Sequence, residues 1–185
     1  MVAKKTTDEL VSERPSPEEL AELPRLPISV IADNIRSLDN VGLLFRLCEL
    51  ARVKKLYLTG YTGYPTHSER HQRRIEKTAV YAVPHQPWEH VADPVPLVQA
   101  LKLQGRQIIA LEQTTASQPY HTANYKLPAA LILGHERQGI REELLTLADT
   151  VIEIPILGLG NSHNVAVACG IVLYKILEKT GKIVV

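Results

Sequence analysis

Three short polar segments interrupt apolar runs in this sequence, and the first ends at Arg46. This arginine stands between Phe45 and Leu47 in a segment with helical spacing, six residues after Asn40. A guanidinium presents its donors in a planar fork and can clamp a phosphate bidentately. The plainer interpretation is a surface arginine with a snorkelling stem, beside an asparagine that only caps the helix.

The second segment is Gly134-His-Glu-Arg-Gln-Gly139, between the predicted strand Ala130–Leu133 and a predicted helix. Glycines at both ends permit a tight turn and let the backbone approach a ligand closely. Open α/β sheets bind their ligands at the carboxyl ends of strands, where this loop would lie. An ordinary strand-to-helix turn would carry the same two glycines.

The third segment is the glycine-rich loop that leads into the last helix. Gly158 and Gly160 match part of a G-x-G-x-x-G phosphate loop, but His163 occupies the third glycine position and the loop follows the last strand. This placement argues against a dinucleotide site. Ser162 either caps the helix or, with Asn164, presents a polar pair at the helix N-terminus.

The elements that must position these segments follow from the apolar periodicity, which predicts a mainly parallel α/β sheet flanked by helices. The predicted strands are Ile28–Ala32, Lys55–Leu58, Val80–Val83, Ile108–Leu111, Ala130–Leu133 and Val151–Ile156. The predicted helices are Val41–Arg52, Glu69–Thr78, Val95–Leu103, Arg141–Leu147 and a last helix over Ser162–Lys179.

Length and composition favour a single domain. The chain has 185 residues, of which 45% are apolar, so it can bury a proper core. Residues 1–27 are rich in proline and charge and predict a flexible polar extension, followed by a domain over residues 28–185. The sequence shows neither a signal peptide nor an apolar run long enough for a membrane span, and we expect a cytoplasmic protein.

Cysteine, histidine and charge patterns narrow the classes of site. Cys48 and Cys169 each lie in an apolar run, which is typical of reduced core thiols rather than of a disulfide or a zinc site. The seven histidines form no His-Glu-x-x-His pattern, and we expect no metal. A formal net charge of +1 gives the chain no overall basic signature, so any nucleic-acid contact must rest on local clustering.

The last helix is apolar nearly all round from Val165 to Leu177. A helix of this kind is buried on more than one side. In a chain this short, either the helix runs through the core or a second subunit covers it, and we expect a homodimer that uses this surface.

Taken in this order, the three segments resemble the three motifs of the SpoU (TrmH-like) family of RNA 2′-O-methyltransferases, within the SPOUT superfamily. The resemblance spans about Ile28 to Leu177 and rests on a combination of spacings. These are Asn40 six residues before Arg46, Gly134 with Glu136 and Gly139, the dipeptide Ile154-Pro155, and the pair Ser162 and Asn164.

The resemblance implies a fold with a deep trefoil knot near the C-terminus and S-adenosylmethionine as the cofactor. The family's catalytic positions correspond to Asn40, Arg46, Glu136, Ser162 and Asn164. Its cofactor contacts correspond to Leu111, Gly134, Ile154, Leu159 and His163. His163 departs from the family, in which a leucine is usual between the serine and the asparagine.

The implied reaction is methylation of a ribose 2′-hydroxyl in transfer or ribosomal RNA, with transfer RNA favoured. A candidate RNA contact is the basic stripe Arg70, Arg73, Arg74 and Lys77, whose i, i+3, i+4, i+7 spacing puts all four on one helix face. Such a stripe suits phosphate contacts, although charge runs also form plain solvated faces.

The chemistry requires alignment of the hydroxyl with the methyl group and removal of its proton. Arg46 is the family's base, but an arginine is effectively always protonated, so stabilising the alkoxide and clamping phosphate suit it better. His135 and His163 are chemically suitable proton acceptors. Two alternatives stay open: a non-catalytic dimeric RNA-binding protein of the same fold, and a SPOUT enzyme that methylates a base.

Overall fold

The central sheet has seven parallel strands in a computed structural model that describes residues 2–182. The strands are β1 (Leu26–Asp33), β2 (Val53–Thr59), β3 (Trp88–Val91), β4 (Gln107–Leu111), β5 (Gln118–Pro119), β6 (Ala129–Leu133) and β7 (Thr150–Glu153). Their order across the sheet is β3-β2-β1-β6-β4-β7-β5, which confirms the predicted α/β class with a parallel sheet. Residues 1 and 183–185, at the ends of the predicted extension and domain, lie outside the described residues.

Helices cover both faces of this sheet. The α-helices in the described residues are α1 (Thr7–Ser12), α2 (Pro17–Glu22), α3 (Leu38–Leu50), α4 (Glu69–Ala79), α5 (Pro94–Leu103), α6 (Glu142–Leu147) and α7 (Val165–Lys179). Neighbouring residues of β1, Val30 and Ile31, point into two different apolar cores. One core contains side chains of α3, α4 and α7 and the other contains side chains of α5 and α6. All five residues of β6 are buried, as expected for a parallel strand covered on both faces.

The predicted strand Val80–Val83 is wrong. The helix α4 ends at Ala79, and Val80 and Tyr81 both have left-handed backbone conformations, with φ of 46° and 69°. A β-branched residue seldom adopts this conformation, so the β-rich composition of the run pointed to the wrong structure. The strand in this region is β3, which pairs with β2 at the edge of the sheet.

The first 27 residues contain two short helices rather than only irregular chain. Thr6 and Ser16 each close a capping box at the start of α1 and α2. Arg52 donates hydrogen bonds from Nη2 to the carbonyl oxygens of Leu20 and Leu23, which attaches the end of α2 to the domain. The flexibility of this extension and its boundary with the domain stay predictions, although β1 begins before residue 28.

Cys48 in α3 and Cys169 in α7 are buried and free, which confirms that they are core thiols. Burial raises the pKa of Cys169 to about 12, so this thiol is protonated at neutral pH.

Two kinds of feature are absent from residues 2–182. No helix there combines the length and the apolarity that a membrane span needs. No group of three or more histidine, cysteine, aspartate or glutamate side chains there is placed to hold a metal ion.

Parallel strands bring their carboxyl ends to one edge of the sheet, and a partly buried ion pair fixes the loops at that edge. Arg141, at the start of α6, donates from Nε and Nη2 to Oδ2 and Oδ1 of Asp33 at 2.9 and 3.0 Å. The Asp33 residue is 1% exposed, and Thr59 Oγ1 donates to its Oδ1 at 2.8 Å. The ends of β1 and β2 and the chain after β6 are therefore joined at one carboxylate.

Candidate active site

A cavity of about 360 Å³ opens at the carboxyl ends of β4, β6 and β7. Its volume lies in the ~300–1,000 Å³ range of small-molecule sites. The predicted site residues in its lining are Leu111, Gly134, Glu136, Ile154, Ser162 and His163. The second and third polar segments of the sequence therefore enclose one cavity.

Glu136 joins the second segment to the first. Its carboxylate accepts hydrogen bonds from the backbone N–H groups of Arg36 and Ser37 at 3.0 and 3.1 Å, and from Asn40 Nδ2 at 2.9 Å. Burial by itself would raise the pKa of Glu136, but these hydrogen bonds and one from its own backbone outweigh burial and hold the pKa below its ordinary value. The carboxylate is therefore charged at neutral pH and fixes the chain that leads into α3.

Asn40 links the first segment to the third and does not cap its helix. The N-cap of α3 is Ser37, whose Oγ accepts from the Asn40 N–H at 3.3 Å. The side-chain oxygen of Asn40 accepts a hydrogen bond from Asn164 Nδ2 at 2.9 Å. Glu136, Asn40 and Asn164 thus form one continuous hydrogen-bonded chain.

The last helix begins later than predicted. Its first residue is Val165, and Asn164 is the N-cap, with its Oδ1 accepting from the N–H groups of Ala166 and Val167. The prediction of a helix start at Ser162 is therefore wrong, because the asparagine, an equally good capping residue, satisfies the free N–H groups. Ser162 is left exposed in the loop and lines the cavity.

Glu112 is a cavity residue that the sequence reasoning missed. Its carboxylate accepts hydrogen bonds from the backbone N–H groups of Ile140 and Gln113 at 2.8 and 2.9 Å. Gly139 has φ of 71°, and a Cβ atom there would collide with this carboxylate. The glycine is therefore required by the close approach of Glu112, and the available signal was an acidic residue directly after an apolar strand.

The two candidate proton acceptors differ in their surroundings. His135 Nδ1 accepts hydrogen bonds from the backbone N–H groups of Arg137 and Gln138 at 2.9 and 3.0 Å. This places the ring proton on Nε2, so His135 has no free lone pair with which to accept a proton. His163 lines the cavity and is exposed, which leaves it as the better placed histidine.

Four predicted site residues lie outside the cavity lining: Asn40 and Asn164, which belong to the hydrogen-bonded chain, and Leu159 and Arg46. Leu159 stands in the loop before α7 with a fully exposed side chain. Arg46 is exposed on α3, and six helical residues place it about 9 Å along the helix axis from Asn40. Cofactor contact by Leu159 and catalysis by Arg46 both stay predictions.

The four residues of the basic stripe are all exposed on α4. Arg74 differs from the others, since it donates from Nε and Nη2 to both carboxylate oxygens of Asp39 at 2.7 and 2.6 Å. Arg73 lies 3.9 Å from Glu69. The RNA-binding role of the stripe stays a prediction. The guanidinium of Arg74 is already paired with Asp39, in a contact between α4 and α3.

Comparison with known proteins agrees with this arrangement. Residues 27–174 match the family described as the SpoU rRNA Methylase family. The tRNA (guanosine(18)-2′-O)-methyltransferase of Aquifex aeolicus is 32% identical over 160 residues, which cover 85% of this chain and 72% of that protein.

Solved structures show the same fold. The Aquifex aeolicus TrmH/SpoU tRNA modifying enzyme superimposes with a TM-score of 0.74 at 29% identity, over 85% of this chain and 79% of that one. An AdoMet-bound rRNA methyltransferase from Sinorhizobium meliloti also gives 0.74 at 26% identity, over 82% of this chain and 56% of that one. With the family match over most of its length and three motifs joined around one cavity, the chain belongs to the SpoU rRNA methylase family.

Proposed function

We propose that this chain transfers a methyl group from S-adenosylmethionine to a ribose 2′-hydroxyl of transfer RNA. The observation that carries the proposal is the hydrogen-bonded chain of Glu136, Asn40 and Asn164, which joins the three family motifs beside a cavity lined by Ser162. The name of the Aquifex relative, a tRNA 2′-O-methyltransferase, supports transfer RNA as the substrate.

The residues around the cavity fit the cofactor. Leu111 and Ile154 offer apolar surface to an adenosine, while the carboxylates of Glu112 and Glu153 suit the positive charge of a sulfonium. The bound cofactor supplies an activated methyl group with a neutral thioether as its leaving group.

In the hydrogen-bonded chain, some side chains position their neighbours and others are free to contact the ribose. Glu136 and Asn40 are occupied with each other and with the backbone before α3, so they act as positioning residues. Asn164 uses one N–H of its amide on Asn40 and retains a second. That N–H and the Ser162 hydroxyl are the groups that can hold a ribose at the cavity.

Proton removal falls to His163 or to solvent, since the Nδ1 lone pair of His135 is occupied. Arg46 contributes as a cation that stabilises the alkoxide and clamps a phosphate of the RNA. This division needs no deprotonated arginine.

A second copy of the chain is the expected partner. Leu50 of α3 and Val167 and Tyr174 of α7 are 57%, 53% and 45% exposed, on two helices that pack together. A homodimer through this surface covers the exposed residues. Arg46 lies outside the cavity lining of its own chain, and in the dimer it could act at the cavity of the second copy. Light scattering at micromolar concentration tests it: Val167→Glu should convert the dimer to monomer, and a monomeric wild-type chain contradicts it.

The proposal also includes a deep trefoil knot and a cytoplasmic location. Family membership and the convergence of the loops after β6 and β7 at one cavity support a deep trefoil knot in this region. A transfer-RNA substrate accords with the expected cytoplasmic location.

A single assay tests the proposed reaction. The chain is incubated with labelled S-adenosylmethionine and unmodified transfer and ribosomal RNA transcripts, and alkali-resistant positions are mapped, with Arg46→Ala as the control. We expect transfer that blocks alkaline cleavage at one nucleotide of a transfer RNA. Transfer without alkali resistance favours a base methyltransferase, and no transfer to any RNA favours the non-catalytic RNA-binding protein.

A further inference from the structure

Tyr61 is an exposed aromatic residue beside the cavity that the proposed reaction does not yet use. The residue is 59% exposed, and its ring centroid lies 6.2 Å from that of His135, with the two planes at 73°. His135 itself lines the cavity. The edge-to-face packing therefore places an open aromatic ring against a residue that lines the cavity.

The backbone before Tyr61 is held firmly. Gly60 has φ of 63°; its N–H donates to the Val91 carbonyl at 3.2 Å and its own carbonyl lies 3.1 Å from His90 Nε2. The Tyr61 N–H donates to Asn34 Oδ1 at 3.1 Å. A Cβ atom at Gly60 would collide with the Asn34 side chain, so the loop packs tightly against Asn34.

The backbone after Tyr61 is fixed by a buried hydroxyl. Thr62 is 1% exposed; its Oγ1 donates to the Ala32 carbonyl at 2.9 Å and accepts from the Ile35 N–H at 2.9 Å. Of the two neighbours of Tyr61, Gly60 is thus anchored to β3 and Thr62 to the chain around the end of β1. The tyrosine ring between them contributes little to the core and remains available for a ligand.

The partner ring is equally well held. His135 Nδ1 accepts two backbone hydrogen bonds, and its N–H and carbonyl pair with those of Gly139 at 3.1 and 2.9 Å. The Tyr61 ring, carried on an anchored backbone and packed on the His135 ring beside the cavity, forms an aromatic platform. The loop that carries Tyr61 continues into α4, where Arg70 begins the basic stripe.

We infer that Tyr61 stacks on the base of the nucleotide whose ribose is methylated. Proteins that act on RNA hold unpaired bases on aromatic side chains, and such stacking accepts any base because each has a π face. A ribose at Ser162 would share the cavity with His135, on whose ring Tyr61 packs. This inference rests on the proposed function and names what holds the target nucleotide.

The test is a double-mutant cycle between protein and RNA. The RNA is the transfer-RNA transcript that the wild-type chain methylates, prepared intact and with an abasic ribose at the mapped position. The proteins are wild type, Tyr61→Ala, Tyr61→Phe and Tyr81→Ala, the last a control at a tyrosine that is 86% exposed and outside the cavity lining. Methyl transfer gives kcat/KM, and calorimetry without RNA gives the affinity for S-adenosylmethionine.

We expect Tyr61→Ala to lose about ten- to a hundredfold in kcat/KM on intact RNA and to match the wild type on abasic RNA. Tyr61→Phe and Tyr81→Ala should resemble the wild type, and cofactor affinity should be unchanged in all four chains. Equal losses of Tyr61→Ala on both RNAs, or a parallel loss of cofactor affinity, overturn the stacking role. An active wild type with an unaffected Tyr61→Ala overturns this inference alone, whereas an inactive wild type overturns the proposed function and this inference with it.

Discussion

Asn164 donates a hydrogen bond to the side-chain oxygen of Asn40 at 2.9 Å, across 124 positions of sequence. The same asparagine caps the last helix through its own oxygen. The position of the helix start and the position of the first motif are therefore set by one amide, and the two functions of that amide can be separated by mutation.

Asn164→Ala removes both functions, and Asn164→Asp keeps only the cap. We expect the alanine variant to lose about 0.5–2 kcal/mol of stability, the range for a missing N-cap, and most methyl transfer. The aspartate variant should stay closer to wild type in urea denaturation but lose activity, because a carboxylate cannot donate to Asn40. Asn124→Ala, at an exposed position, serves as the control, and an inactive but equally destabilised aspartate variant would contradict the separation.

Glu136 should make stability depend on pH in the acid range. Its pKa in the folded chain lies below the ordinary value of 4.5, so its stabilising effect is complete above pH 4.5 and is lost as pH falls through the folded pKa. The difference in free energy of unfolding between wild type and Glu136→Gln should therefore be largest near neutral pH and shrink below 4.5. Glu142→Gln, at an exposed position in α6, is the matched control.

The ion pair of Asp33 and Arg141 should stabilise the loops at the sheet edge. Arg141→Met leaves a buried carboxylate without its cation and should cost about 2–3 kcal/mol, below the ~3–5 kcal/mol of a fully buried pair because the Arg141 side chain is 38% exposed. Adding Asp33→Asn should restore part of that loss. Chemical denaturation of the single and double variants measures it, and additive losses would show that the two residues do not interact.

Arg46 should affect turnover without affecting the fold. Because its side chain is exposed, Arg46→Lys and Arg46→Ala should change stability by no more than about 0.5 kcal/mol. Both should lower kcat by roughly a hundredfold or more, since neither reproduces a bidentate clamp. Arg14→Lys in the extension is the matched control, and a lysine variant with near-full activity at unchanged RNA affinity would refute any role specific to arginine.

The basic stripe should be visible in the salt dependence of RNA binding. Replacing Arg70, Arg73 and Lys77 together with alanine should reduce the slope of log affinity against log salt by about 0.7–0.9 for each phosphate that is no longer neutralised. Arg74 is left in place because its pair with Asp39 holds two helices together. The control is Lys126→Ala, at an exposed lysine, which should leave the slope unchanged. An unchanged slope in the triple variant would show that the basic stripe does not contact RNA phosphates.

The sequence predicted the motif residues better than it predicted what holds them. Glu136 and Asn164 stand in short segments whose spacing is visible in one chain. Asp33 and Arg141 lie 108 positions apart, and no local pattern connects an aspartate at a strand end with an arginine before a distant helix. Glu112 directly follows an apolar strand, which was a local signal, but its hydrogen bond to the Ile140 N–H spans 28 positions.

Local composition also has limits of its own. The run from Val80 to Val83 has the β-branched and aromatic residues of a strand, yet its first two residues are left-handed because the chain must turn out of α4. Propensity describes which conformations a residue prefers, whereas the backbone conformation of Val80 and Tyr81 is determined by the surrounding fold.

The strand order has a consequence for how the protein is made. β6 lies between β1 and β4, although both are synthesised before it. Until residues 129–133 emerge, the nascent chain can pair only β1, β2 and β3, and β4 has no neighbouring strand. Insertion of a central strand between partners distant in sequence is slow in folding terms. Asn164 arrives later still, so the hydrogen-bonded chain of the candidate site is incomplete until the loop before α7 has been synthesised.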